Sequence, residues 1–399
     1  MDYGEYRDRL LARFPSPSLA FAVEEYETRL STLRAEMDRR GFDMLMLTDP
    51  AELCYLTGYT TFEVSVQCVL LVGAQRTVLF VPAIEVGPAV YLSRVDEVVG
   101  YAWESPGSAA GLLADRVVAM TSAPSPRIGV SLWSNSLRPG LLDSLRATLA
   151  DAQFQDKGDF LDIQRLVKSP AELDYLAESA AMTGAGLDAA FKVIHDGAID
   201  HHIAQAGADA MLARGSEFMS MQPIVTTGFR SGIIHTSHVG STVARGDVVF
   251  TEFGAVKRRY TAPMMRTAVV GPASAEIREF HEVCLAVLDA VMQAARTGEP
   301  FASAAIAGEA ALAPIADRAF FSGVYGYPVG AQFPPSWVTG STFIARDCDA
   351  VFEDDMVFHL PICLRKPGEW GVGFSETVRI TATGAERITT NDLALQVFD

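Results

Sequence analysis

Cysteine is sparse: Cys54, Cys68, Cys284, Cys348 and Cys363 are scattered through 399 residues, odd in number and never in a Cys-x-x-Cys pair. That excludes a disulfide framework and a thiolate zinc site as organising features. Basic residues are also short, with 32 Lys and Arg against 49 Asp and Glu and a formal net charge of -17. A surface of that sign repels phosphate, so neither nucleic acid nor an anionic membrane is an expected partner. Long apolar runs are missing too. Stretches such as VQCVLLV at 66–72 are strand-length and far short of a membrane span. The opening residues MDYGEYRDRLLARFPSPS carry charges where a secretory leader needs an apolar segment, so a soluble, cytoplasmic protein is expected.

What is present is a large globular composition, 49% hydrophobic and 20% charged, enough to offset the entropy of ordering the chain. Helical spacing of Tyr26, Leu30, Leu33 and Met37 predicts a helix over 22–40, closed by Gly41. Apolar runs at 42–49, 66–72, 76–82 and 127–132, with a helical stretch at 108–120, predict an α/β domain over residues 1–160 behind an N-terminal extension, 1–20. Ser169, Pro170 and Glu172 have the form of an N-cap, a first-turn proline and a capping-box glutamate, which starts a long helix and a second domain, 161–399. There, helices are expected at 200–213, 274–296 and 301–313. Strands are expected at 247–253, 258–270, 355–364 and 371–382, giving an α+β arrangement with helices covering an antiparallel sheet.

Several blocks resemble one family in order and spacing across nearly the whole chain. EYETRLSTLRAEMDRRGFDMLMLTDPAELCYLTGY (25–59) resembles the opening of the creatinase/prolidase N-terminal domain, and RLVKSPAEL (165–173) its domain junction. GDVVFTEFGAVKRRYTAPMMRT (246–267), YGYPVGAQFPP (325–335) and EDDMVFHLPICLRKPGEWGVGFSETVRIT (353–381) resemble the pita-bread catalytic domain. In the peptidases of this family two aspartates, a histidine and two glutamates hold two metals that activate water. The resemblance places those positions on Glu252, Pro263, Tyr327, Pro361 and Ser375. Proline offers no donor atom, and tyrosine and serine are poor neutral ligands, so no metal and no other cofactor is expected.

The same segments resemble the metal-independent branch of the fold, which includes creatinase and the ectoine hydrolases. GYPVGAQFPPSW (326–337) looks closest to the ectoine hydrolase form, while the creatinase glutamate preceding the Arg266-Thr267 pair falls on Met265. In TGFRSGIIHTSHVGSTVARGD (227–247), ten residues separate His235 from the Gly246-Asp247 turn, the spacing of the family's active-site histidine outside the metal shell. His235 is therefore the candidate for proton transfer, since imidazole exchanges protons near neutrality.

Glu252, in the apolar strand VVFTEFG, is the candidate nucleophile or general base; the structural alternative is a buried carboxylate paired with Arg266. Glu376 alternates with Phe374 and Val378 and is expected to face the site and hold a cationic substrate group. Tyr327, standing where the metal histidine falls, is expected to offer its hydroxyl to substrate, and His359 to share the pocket with Pro361. Arg259, Arg266, His238 and Trp337 are further candidates for substrate contact. Strand alternation turns one of Arg258 and Arg259 inward as a carboxylate clamp. Tyr59 lies in the best-matching N-terminal block, which in relatives reaches the active site of a partner subunit, so the resemblance implies a homodimer.

The function so implied is metal-independent hydrolysis of a non-peptide carbon-nitrogen bond in a small zwitterion, with ectoine the best single substrate. Three alternatives stay open: creatinase-like amidinohydrolysis, an Xaa-Pro-type peptidase with residual metal, and a ligand-binding pseudo-peptidase without chemistry.

Overall fold

The computed structural model describes residues 1–217 and 220–399. They form two compact units, Met1–Gln164 and Arg165–Asp399. The division falls just beyond the expected residue 160 because the short helix Phe160–Gln164 stays with the first unit, whose core takes up Phe160 and Leu161.

The first unit is built on a six-stranded sheet of β1 (Met44–Leu47), β2 (Val69–Gly73), β3 (Thr77–Pro82), β4 (Glu97–Tyr101), β5 (Arg127–Val130) and β6 (Gln153–Asp156), in the order β4-β3-β2-β1-β5-β6. β1, β2 and β3 are buried on both faces, which is why they read as continuous apolar runs. The edge strands β4 and β6 escape sequence reading because EVVGY and QFQD are half exposed and mixed in polarity. Helix Val23–Arg40 ends on Gly41 in the left-handed conformation, as its sequence predicts. The extension is not a loose tail: Asp2 caps helix Tyr3–Arg13, and Arg7 donates to the Val98 carbonyl at 3.2 Å. The block around Tyr55 is helix Pro50–Thr57. The Asp49 carboxylate accepts its first amides, and Gly58 closes it at φ 83°.

The second unit carries β7 (Ile224–Thr227), β8 (Val248–Phe253), β9 (Val256–Lys257), β10 (Tyr260–Thr261), β11 (Met264–Val270), β12 (Tyr327–Pro328), β13 (Val357–Lys366), β14 (Trp370–Thr381), β15 (Gly384–Arg387) and β16 (Gln396–Phe398). They assemble as two four-stranded sheets, β16-β11-β8-β7 and β12-β13-β14-β15, plus the hairpin β9-β10. Helix Pro170–Phe191 opens on the complete capping box of Ser169 and Glu172. Helices Asp200–Ala213, Ala275–Ala294 and Phe301–Leu312 follow, each within two residues of its expected span. The single strand expected at 258–270 is broken, because Arg258 and Arg259 form the β9-β10 turn at φ 49° and 73°. In-out alternation therefore does not apply to that pair.

Side-chain parity on the long strands sets up the site. Phe358, Leu360, Ile362 and Leu364 of β13 pack with Phe280 and Val287 of the helical layer. Residues 359, 361, 363 and 365 consequently point to the opposite face. On β8, Val249 and Phe253 join the core that includes Ile203 and Leu187, leaving Phe250 and Glu252 on the other side. Among the described residues, no helix is long and apolar enough to cross a membrane.

Candidate active site

The faces left over by that packing enclose a cavity of about 750 Å3 in the second unit, the size of a small-molecule site. Its wall is chiefly apolar, with Met221, Ile224, Met265, Pro335 and Trp337, and the ionisable side chains on it are Glu252, His235, Tyr327, Cys363 and Arg365. His235, Glu252, Tyr327 and Trp337, expected from sequence, thus meet in one place.

Glu252 sits mid-strand, in register with Met265 of β11 and Ile224 of β7. Its surroundings are Ile224, Phe250, Met265, Trp337 and Cys363, a cluster with little polarity. No hydrogen bond or ion pair to its carboxyl is present among the described residues, and Arg266, the alternative partner, pairs elsewhere. Burial alone pushes its pKa from 4.5 up to about 8, since an uncompensated carboxylate is costly away from water. A buried, unpartnered carboxyl on a cavity wall marks a candidate functional site.

His235 arrives on a loop rather than a strand. Gly232 lies against the backbone of Trp370, and a Cβ at Gly371 would stand 2.5 Å from the Ser231 carbonyl, so the turn at 228–232 presses directly onto β14. The Ser231 hydroxyl accepts the Gly371 amide at 3.0 Å. Further along, the buried Asp200 carboxylate accepts the Val239 and Gly240 amides at 2.9 and 2.8 Å. Between these anchors His235 is exposed at the cavity wall with φ 61°, a left-handed conformation that costs a non-glycine residue energy. His238, on the same loop, does not line the cavity. Its ring is held by the Ser237 hydroxyl and the Pro223 carbonyl and meets His201 edge-on.

Tyr327 reaches the cavity from β12, and its hydroxyl meets Trp337 Nε1 at 2.8 Å and His359 Nδ1 at 2.7 Å. His359, in register with Tyr327, is fully buried behind it rather than exposed to the pocket. The Nε2 of His359 meets the Ser375 hydroxyl at 2.6 Å. Burial, aided by the Arg266 charge, lowers its pKa to about 3, so the ring is neutral.

Glu376 departs most from expectation. It does share a face with Phe374 and Val378, but that face belongs to the helix-covered core and not to the cavity. Its carboxylate is bound by Arg266 at 2.5 Å, by Arg387 at 2.8 Å and by the Thr389 hydroxyl. Arg266 also donates to the carbonyls of Met265, Ser375, Asn391 and Asp392. Both residues are thus fully engaged in a buried structural network, where removing one partner strands the other's charge. Arg259 is also corrected: it stacks on Phe333, its guanidinium carbon 4.3 Å from the ring centre, and lies off the cavity wall. Tyr59 belongs to the first unit's core, its hydroxyl donating to Glu85 at 2.8 Å.

Sequence reading missed Arg365. It lies on the cavity wall next to the Cys363 position along β13, its guanidinium 5.2 Å from the Phe320 ring centre and its buried Nε without a hydrogen-bond acceptor. Alternation from Pro361 gives its direction at once, 361, 363 and 365 sharing a face.

Of the five positions where the resemblance implies metal ligands, Glu252, Tyr327 and Pro361 line the cavity and Ser375 lies behind it. Among the described residues no three His, Cys, Asp or Glu side chains are grouped to hold a metal ion. The residues present do not fit a dinuclear cage.

Residues 174–382 match the family described as Metallopeptidase family M24, and residues 29–167 match the Creatinase/Prolidase N-terminal domain. The chain belongs to metallopeptidase family M24. Family membership identifies a hydrolase scaffold while the ligand positions depart from its metal chemistry. Similar relatives include an ectoine hydrolase of Halomonas elongata, 26% identical with 96% of this chain and 98% of that protein covered. A Xaa-Pro dipeptidase of Pyrococcus furiosus is 21% identical over 92% of this chain and 99% of its own. Among solved structures, the X-Pro aminopeptidase of Thermotoga maritima superposes with a TM-score of 0.80 at 19% identity, covering 92% of this chain and 99% of that one. At that identity the likeness shows the fold, the expected pairing of an α/β N-terminal domain with a pita-bread domain.

Proposed function

We propose that this M24-family hydrolase opens a non-peptide carbon-nitrogen bond of a small zwitterion without a metal, with ectoine the best substrate. The observation carrying the proposal is Glu252: a buried carboxyl free of hydrogen-bond and ion-pair partners among the described residues, at a position where the family's peptidases have a metal ligand. An amidinium placed beside it favours the carboxylate form. Glu252 takes the proton of a water as that water adds to the amidine carbon, or adds to the carbon itself and is released when water cleaves the bond so formed, in either case through a tetrahedral species. The bond to the leaving nitrogen breaks as His235 delivers a proton there. Net addition of one water yields a ring-opened N-acetyl diaminobutyrate. Tyr327 donates to the oxygen joined to that carbon, which becomes the carbonyl oxygen of the product amide. Arg365, the cation on the wall, receives the substrate carboxylate in place of Arg259.

A substrate panel tests this reading. Ectoine is expected to be cleaved, with creatine and Xaa-Pro dipeptides left intact; efficient Xaa-Pro cleavage with intact ectoine contradicts it. In Arg365→Gln the KM for ectoine should rise roughly 10- to 100-fold with kcat changed far less, the loss of one charge-assisted contact.

A further inference from the structure

We propose that the buried side chains behind Tyr327 fix the direction of its hydroxyl, making it a hydrogen-bond donor into the cavity and making His359 a neutral, Nδ1-protonated positioning residue. The inference builds on reading the cavity as an active site, although the proton arrangement itself requires no substrate.

The argument is a donor and acceptor balance over four side chains. The Met265 amide donates to Ser375 Oγ at 2.6 Å, and Trp337 Nε1 donates to the Tyr327 hydroxyl at 2.8 Å; neither can run the other way. Between them His359 contacts Ser375 through Nε2 at 2.6 Å and Tyr327 through Nδ1 at 2.7 Å. A neutral ring has one N–H, so two arrangements exist. If Nε2 carries the hydrogen, Ser375 receives two donors, and its own hydroxyl hydrogen has no acceptor among the described residues in a fully buried spot. If Nδ1 carries it, Ser375 donates to Nε2, and Nδ1–H and Trp337 both donate to the Tyr327 oxygen. The one hydrogen left over is then that of Tyr327, a residue of the cavity wall, where a bound substrate can accept it. A buried hydroxyl without an acceptor is expensive, and a donor facing the cavity is not, so the second arrangement prevails.

Burial and the nearby Glu252 hold the Tyr327 phenol well above its ordinary pKa, so the donor stays protonated. Both acceptor positions of its oxygen are filled by Trp337 and His359. Tyr327 can therefore only give a hydrogen bond to what lies in front of it, the polarity that suits an oxygen turning into a carbonyl. None of Ser375, His359 and Trp337 need touch the reacting atoms to impose this.

The test is histidine-selective 15N labelling of the full chain, which has seven histidines, with the ring tautomer of each read by long-range 1H–15N NMR. The His359 signal is assigned by its loss in His359→Gln. Its expected state is Nδ1–H; an Nε2–H ring, or an imidazolium at pH 6, overturns the proposal. Ser375→Ala removes the donor that fixes Nε2 and lets Tyr327 turn back toward His359. It should lower kcat about 10²-fold, approaching Tyr327→Phe, with KM within about 3-fold. Wild-type kcat in Ser375→Ala also overturns it. A wild-type protein that turns over no substrate removes the hydrolase reading alone, and the tautomer still decides this one.

Discussion

Glu252→Gln is expected to lower kcat by roughly 10²- to 10⁴-fold, the span ascribed to a positioned acid or base, while making the folded protein more stable above neutral pH. Both effects come from one cause. Glutamine keeps the shape of the side chain and cannot ionise, so the apolar cluster of Ile224, Phe250, Met265, Trp337 and Cys363 no longer opposes a charge.

The pH dependence follows from linkage. The pKa of Glu252 is about 8 in the folded protein against 4.5 ordinarily, so between these values the folded state holds a proton that the unfolded state has lost. The stability this group confers is complete below pH 4.5, declines as pH rises, and is lost by the time pH passes 8. Over that window the loss is on the order of 4 kcal/mol at 1.36 kcal/mol per unit. Wild-type Tm should therefore fall from pH 5 to pH 9 by several degrees more than Glu252→Gln. Turnover moves the opposite way on its acid limb: kcat/KM, which reports the free enzyme, should climb with pH as Glu252 ionises. A Glu252→Gln protein less stable at every pH would mean the carboxylate is a paired structural acid.

The second large effect is at His235. His235→Gly should lose roughly 10²- to 10⁴-fold in kcat with Tm unchanged or slightly raised, and added imidazole should restore part of the activity. Thermal melts and steady-state kinetics on one preparation check both halves. Two opposed parts set the stability: glycine relieves about 1–3 kcal/mol of left-handed strain at φ 61° and costs about 0.5–1 kcal/mol in extra unfolded-state freedom, so the balance is zero or mildly stabilising. The ring is exposed and makes no contact that the core would miss. Activity within about 3-fold of wild type would show that His235 is a loop residue without a chemical role.

The contrast between Glu376 and Arg365 shows how far this site was legible in the sequence. Alternation correctly grouped Glu376 with Phe374 and Val378, but parity says only which residues share a face, not which face looks into the cavity. That is decided by where helix Ala275–Ala294 packs, a long-range fact. The same alternation run along β13 from Pro361 leads to Arg365, while Arg258 and Arg259 are the more conspicuous basic pair in the sequence. Those two were misread for a local reason, a tight turn inside what looked like one long strand. Glu252, His235, Tyr327 and Trp337 meet on the cavity wall, and motif spacing is what singles them out in the sequence. The fold was readable for related reasons: β1 to β3 are continuous apolar runs, and Ser169 with Glu172 marks its helix start unambiguously. β4 and β6 were not, because sheet edges need little apolar surface.

On this M24 scaffold a lone carboxyl is proposed to stand in for a metal cage. The most direct measurement is ectoine turnover by enzyme stripped with a chelator and verified metal-free by elemental analysis, with products followed by mass spectrometry. The account predicts undiminished ring opening, a product heavier than ectoine by one water, and no stimulation by added divalent ions. Activity that vanishes on stripping and returns only with a divalent metal would contradict it.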